Sequence, residues 1–128
     1  MIINTFYKID TIIDGIKYNP PSQINNDGYT IELIWKNENN KWHNENGPAV
    51  IVYDANGNIQ YKEWCINNER HNENGPAYIS YYENGNVAYK SWYINGKRHN
   101  DNGPAIIVYN EDGNTTRQEY WKNGIRVK

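Results

Sequence analysis

At 128 residues the chain is one domain or one short repeat array. Its 13 basic and 15 acidic residues leave a net charge of −2, too even a balance for a generic binder of nucleic acid or of a membrane surface. A single cysteine, Cys65, excludes an intramolecular disulfide and a cysteine-built zinc site and makes an intracellular home the default expectation.

Mean hydropathy is −0.99, yet aromatic residues make up 14% of the chain, with 12 Tyr and 5 Trp against one Phe. Disordered segments are poor in aromatics, so a folded chain is expected. Its packing material is amphipathic, with rings that bury their bodies and keep polar tips wet. The start, Met1-Ile2-Ile3-Asn4-Thr5-Phe6-Tyr7-Lys8, lacks a basic region followed by a long apolar run and does not read as a signal peptide. No stretch reaches membrane-spanning length.

Within residues 1–27, Ile2, Phe6, Ile9, Ile13 and Ile16 fall at helical spacing. The same segment holds Asp14-Gly15 between Thr11-Ile12-Ile13 and Ile16-Lys17-Tyr18. Asp-Gly is a hairpin turn signal, and Ile and Thr prefer strands, so an N-terminal cap in the form of a hairpin is expected over a helix. Pro20-Pro21 breaks regular structure after it.

From Asp27-Gly28 onward one pattern returns. His43-Asn44-Glu45-Asn46-Gly47-Pro48-Ala49 recurs as His71-Asn72-Glu73-Asn74-Gly75-Pro76-Ala77 and as His99-Asn100-Asp101-Asn102-Gly103-Pro104-Ala105, at 28-residue spacing. A fixed period in this range marks stacked supersecondary units. The expected division is a partial repeat over 28–42, with one extra residue in its turn, and repeats over 43–70, 71–98 and 99–128.

Each unit reads as two strands. The first begins at Ala49, Ala77 or Ala105 and leads to Asn56-Gly57, Asn84-Gly85 or Asp112-Gly113, expected as two-residue type I′ turns. The second strand runs over 59–66, 87–94 or 115–122 and ends in a turn at Asn67-Asn68, Asn95-Gly96 or Asn123-Gly124. With such turns Ala49 lies opposite Trp64, Ala77 opposite Trp92 and Ala105 opposite Tyr120, a small residue seating a ring in each copy. Gly47, Gly75 and Gly103 serve the loop, and Pro48, Pro76 and Pro104 suit the start of a strand. A propeller blade needs about 40–45 residues, so the expected fold is all-β: an antiparallel β-hairpin repeat array, as a single-layer meander or open solenoid. The charged end Arg126-Val127-Lys128 suits an edge.

Tyr81-Tyr82-Glu83-Asn84-Gly85-Asn86 and Trp92-Tyr93-Ile94-Asn95-Gly96-Lys97-Arg98 resemble the MORN repeat and its antitoxin-like variants. The Gly-Pro-Ala variant with a histidine loop looks like arrays of AT-rich bacteria, phages and giant viruses. The resemblance spans about residues 28–128. It implies a scaffold or binding module, cytoplasmic in the producing cell, or in the host if viral.

The candidate chemistry is sparse. His43, His71 and His99 stand two strand spacings apart, about 10 Å, so the outer pair is about 20 Å apart. One ion with bonds of about 2 Å to histidine cannot gather them. Each is expected to tie its own loop, to Glu45, Glu73 or Asp101. The Asn-acid-Asn-Gly loops lack the ligand pattern of a calcium loop and read as turns in which Asn caps its own backbone. No nucleophile has a base at interpretable spacing, and Cys65 reads as a packing residue, so no enzyme, metal or cofactor is expected.

The candidate partner-binding residues are aromatic. Trp35, Trp64, Trp92 and Tyr120 form one stripe, with Tyr61 and Tyr89 on the opposite face, and Tyr78 and Tyr82 join them as candidates. A single-layer sheet cannot bury both faces, so one awaits a protein partner or a second copy. The alternative is a module stacking its rings on glycans or bases, with Lys62 and Lys90 nearby. Nucleic acid is the less favoured partner, and a membrane is not favoured.

Overall fold

A computed structural model describes residues 11–13 and 15–128. It is all-β, and no helix among the described residues is long and apolar enough to cross a membrane. Strands β1 (Thr11–Ile13) and β2 (Ile16–Tyr18) pair with Ile13 opposite Ile16, so the expected hairpin forms around Gly15, whose φ is +79°. Ile2, Phe6 and Ile9 of the helical alternative lie outside the described residues.

Strand β3 (Gln23–Asn26), absent from the sequence reading, pairs with β4 (Thr30–Ile34) and is one edge of the main sheet. Its polar composition hides it. Gln23 Nε2 donates to Asn25 Oδ1, and Asn25 Nδ2 donates to Glu32 Oε1, so side-chain amides do the work that apolar alternation does elsewhere.

The sheet continues with β5 (Val50–Asp54) and β6 (Ile59–Glu63). Beyond them lie two short strands, β7 (Cys65–Ile66) and β8 (Glu69–Arg70). Next come β9 (Tyr78–Tyr81), β10 (Val87–Ser91), and the short β11 (Tyr93–Ile94) and β12 (Lys97–Arg98). The chain finishes with β13 (Ile106–Tyr109), β14 (Thr115–Glu119), and the short β15 (Trp121–Lys122) and β16 (Ile125–Arg126). The long strands form one eight-stranded antiparallel sheet in the order β3-β4-β5-β6-β9-β10-β13-β14, while β7-β8, β11-β12 and β15-β16 are separate two-stranded hairpins.

Two expectations are corrected here. The second strand of each unit is not continuous, because it breaks at Trp64, Trp92 and Tyr120. Trp64 donates its amide to Ala77 O and accepts from His71 N, and Trp92 does the same with Ala105 and His99. The backbone therefore bonds to two different segments and leaves the sheet.

The turn type of the long hairpins also differs from the expected type I′. Asp54 accepts from Gly57 N at 3.0 Å and donates to Asn58 O at 2.8 Å, with Gly57 at φ +84°. This is a three-residue loop, a type I turn closed by a left-handed glycine, which Asp54 favours by accepting the amides of Asn56 and Asn58. Type I′ geometry appears instead in the short hairpins, where Asn67 and Asn68 have φ of +49° and +68°. The register of the long strands nonetheless comes back into line. The register shifts once between Val52 and Tyr53, with Gln60 as the bulged residue, and Val50 pairs with Glu63. The odd loop residue and the bulge cancel.

One face carries the row Leu33, Ile51, Lys62, Ile79, Lys90, Ile107 and Gln118, paired across successive strands. The other carries Glu32, Val52, Tyr61, Ser80, Tyr89, Val108 and Arg117. The β1-β2 hairpin lies on the first face, where Ile13 and Tyr18 join Ile31, Leu33, Trp35, Ile51 and Tyr53 in the core. Burial falls away from there: Val50–Tyr53 is buried, whereas Thr115–Gln118 is exposed.

The hairpin is seated by one ring. Tyr18 meets Trp35 edge-on at 6.1 Å, and Trp35 Nε1 donates to Asn19 O at 2.9 Å. A Cβ added at Gly47 would stand 2.8 Å from Tyr18 Cδ1, whereas at Gly75 and Gly103 it would meet only an asparagine amide at 3.6 and 3.8 Å among the described residues. Gly47→Ala is therefore expected to lose about 1–3 kcal/mol by overpacking. Gly75→Ala and Gly103→Ala should be close to neutral. Urea denaturation of the three variants checks this.

Candidate functional site

The histidine loops are built by their asparagines. Asn72 Nδ2 donates to Pro76 O, and Asn72 Oδ1 accepts from Asn74 N; Asn44 and Asn100 repeat both bonds within 2.8–3.1 Å. Asparagine thus closes its own loop, as turn chemistry predicts. Each histidine reaches its own loop acid through Nε2: His43 to Glu45 at 3.6 Å, His71 to Glu73 at 3.8 Å and His99 to Asp101 at 3.0 Å. His99, followed by Lys122, holds the Asp101 carboxyl below its ordinary range.

The other ring nitrogen does what the sequence reading missed. Nδ1 of His43, His71 and His99 accepts the backbone amide of Asn67, Asn95 and Asn123, at 3.1, 2.9 and 3.0 Å. Each acceptor lies 24 residues before its donor, so each histidine bonds the type I′ turn of the next short hairpin. The second amide of each turn is held likewise: Asn68 N donates to Trp42 O, Gly96 N to Arg70 O and Gly124 N to Arg98 O. An accepting Nδ1 requires the proton on Nε2. Nδ1 is thus committed to structure in all three, whereas Nε2 lies within hydrogen-bond distance of its acid only at His99. Among the described residues no group of three or more metal-ligating side chains is placed to hold an ion.

Cys65 is buried, and burial, then the neighbouring Glu63, pushes its thiol up to about 12. A thiol so held is protonated and unreactive.

The tyrosine face is satisfied from within. Tyr61 stacks on Tyr78 at 5.4 Å, and Tyr78 meets Tyr89 edge-on at 5.9 Å. Burial is the first cause raising the Tyr61 and Tyr78 hydroxyls above their ordinary value. The guanidinium of Arg70 sits 4.7 Å from the Tyr78 ring and 5.3 Å from Tyr93, while pairing with Glu63 at 3.4 Å. Burial would raise the Tyr93 hydroxyl, but hydrogen bonds with Arg98 and Arg70 outweigh it and lower it. Tyr82 donates its hydroxyl to Tyr109 O at 2.7 Å.

Arg70, Arg98 and Arg126 stand 28 residues apart, which was the available signal for this layer. Their partners vary. Glu63 and Glu119 pair with Arg70 and Arg126, but Ser91 takes the intermediate place, and Ser91 Oγ and Arg98 Nε are buried without a partner among the described residues.

On the opposite face, the tryptophan stripe divides. Trp35 is 5% exposed beneath the N-terminal hairpin and is a core residue, whereas Trp64, Trp92 and Tyr120 are half-buried. Lys62 lies 6.0 Å from the Tyr81 ring and Lys90 5.9 Å from the Tyr109 ring. A groove of about 460 Å³ runs beside Trp64, between loop residues 44–47 and 71–74. No protein-family model, no curated protein and no solved structure matches the chain.

His71→Ala removes the acceptor of an exposed amide and is expected to cost about 0.5–1.5 kcal/mol. Hydrogen exchange at Asn95 and Gly96 should accelerate while the β5 amides stay protected. A second prediction concerns Glu119, which is 7% exposed. The Trp121 indole N–H, then Arg117 and Arg126, outweigh burial and hold its carboxyl below the ordinary 4.5. A carboxyl lowered in the folded state stabilises above its unfolded value, and that stability is lost as pH falls through the folded value. Glu119→Gln should therefore melt below wild type at neutral pH, and the gap should close on acidification, as followed by thermal denaturation.

Proposed function

We propose that the chain is a MORN-like array of 28-residue β-hairpin repeats. In this reading it serves as a non-enzymatic cytoplasmic scaffold and binds another protein through the face carrying Trp64, Trp92 and Tyr120. The observation that carries this reading is the uneven cover of that face. The β1-β2 hairpin packs over Ile31, Leu33, Trp35, Ile51 and Tyr53, while Ile79, Tyr81, Ile107 and Tyr109 are only half-buried. Rings on a sheet face that nothing described covers match the core of a protein interface, where aromatics are enriched.

The tyrosine face is less suited to this task, because its rings stack on one another and under Arg70. Catalysis is less suited still, because each histidine spends Nδ1 on a turn amide within the fold. A second reading, a module that stacks on glycans or bases, draws on Lys62 and Lys90 beside the Tyr81 and Tyr109 rings.

Affinity capture with the full chain is expected to retain a protein that Trp92→Ala loses and Ser80→Ala, on the other face, keeps. A strict monomer by light scattering that captures nothing, or a partner indifferent to Trp92→Ala, refutes the reading. Tryptophan fluorescence titrated with oligonucleotides and glycans tests the second reading, and an unchanged signal removes it.

A further inference from the structure

The chain already fills one of its own ring seats, and this identifies what the others would take. The first seat is formed by Trp35 and Gly47, and its occupant is Tyr18 of β2, edge-on to the indole and flush against the glycine. Trp35 donates its amide to Ala49 O, two residues beyond Gly47. Trp64 donates to Ala77 O, beyond Gly75, and Trp92 to Ala105 O, beyond Gly103, so the same backbone geometry builds the seat three times. At Gly75 and Gly103 the space above the glycine holds no ring among the described residues.

The rim adds a charge preference. The groove at Trp64, which runs from Gly47 to residues 71–74 just before Gly75, is flanked by Glu45 and Glu73, each near its own histidine at 3.6 and 3.8 Å and about three-quarters exposed. In the next loop Lys122 pairs with Asp101 at 3.1 Å and offsets the acid there. The residue beside Tyr18 on the occupying strand is Lys17.

We propose that the Trp64–Gly75 seat, and with lower charge selectivity the Trp92–Gly103 seat, receives an aromatic side chain from a partner protein's strand. A basic residue next to that ring would read Glu45 and Glu73. This rests on the protein-binding reading above and names the partner's chemistry: an extended segment with an adjacent basic and aromatic residue. The first seat is the precedent, since its interface continues along the same stripe of the same face.

The probe is a cyclised peptide with the chain's own sequence over 11–19, added to the full-length protein. The indole N–H resonance of Trp64 should shift, and that of Trp121 should not. Replacing the peptide's tyrosine by alanine, or Gly75→Leu in the protein, should each weaken binding about tenfold or more. Gly75 has no left-handed φ and its Cβ position is open among the described residues, so the leucine variant should keep the wild-type sheet resonances. Replacing the peptide's lysine by glutamate should weaken binding severalfold, with the loss shrinking at high salt.

A peptide that leaves Trp64 unmoved overturns the proposal, as does binding indifferent to Gly75→Leu or binding through Tyr61 and Tyr89. Self-association abolished by Gly75→Leu would assign the seat to a second copy and also overturn it. The two levels separate cleanly. A captured partner lost with Trp92→Ala but kept in a Gly75→Leu, Gly103→Leu double variant would sink the seat and spare the broader reading.

Discussion

Two backbone amides at the tip of each short hairpin hold the molecule in line. A type I′ turn points its central N–H groups outward, where they need acceptors or water. Here the acceptors come from the segment before: an imidazole for the first amide and a main-chain carbonyl for the second. The carbonyl of Arg70 is in place only if the hairpin holding it is formed, and that hairpin's turn in turn leans on His43 and Trp42. Each tip therefore presupposes its predecessor, and the break of the long strands at Trp64 and Trp92 is what brings the tips within reach.

Much of this was legible as recurrence. The positions of the long strands, the glycines of their loops, the closure of the Asn loops and the opposition of the two aromatic rows follow from period and alternation. What escaped were interactions with no local pattern. The bond from His71 Nδ1 to Asn95 spans 24 residues and joins two segments that alternation treats separately. Strand β3 escaped because a single apolar residue, Ile24, packs it against the core and leaves no alternation to read, while Gln23, Asn25 and Glu32 bond to one another. Trp35 was indistinguishable by sequence from Trp64 and Trp92. Only the docking of Tyr18 makes it core.

Differences between equivalent places matter as much as the likeness. Glu63 and Glu119 give Arg70 and Arg126 a carboxylate, while Ser91 stands in the intermediate place and Arg98 Nε has no partner among the described residues. The apolar core is likewise concentrated at one end, around Leu33 and Ile51, and thins toward the exposed edge strand β14. Local opening is expected to follow that gradient, because regions with few buried apolar contacts open at the lowest cost.

The paired irregularities of the hairpins impose a rule of parity. A strand assigns each side chain to a face by whether its position is odd or even. The loop closed by Gly57 adds one residue relative to a two-residue turn, and the bulge at Gln60 takes the count back to even; the same compensation follows at Gly85 and Gly113. Within a long-strand hairpin, faces survive length changes only in twos: one residue gained or lost in such a loop alone would turn the side chains after it to the other face. The short turns are exempt from the rule, since the stretch from Trp35 to His43 is one residue longer than that from Trp64 to His71, and Trp35 still joins Leu33 and Ile51 in the core.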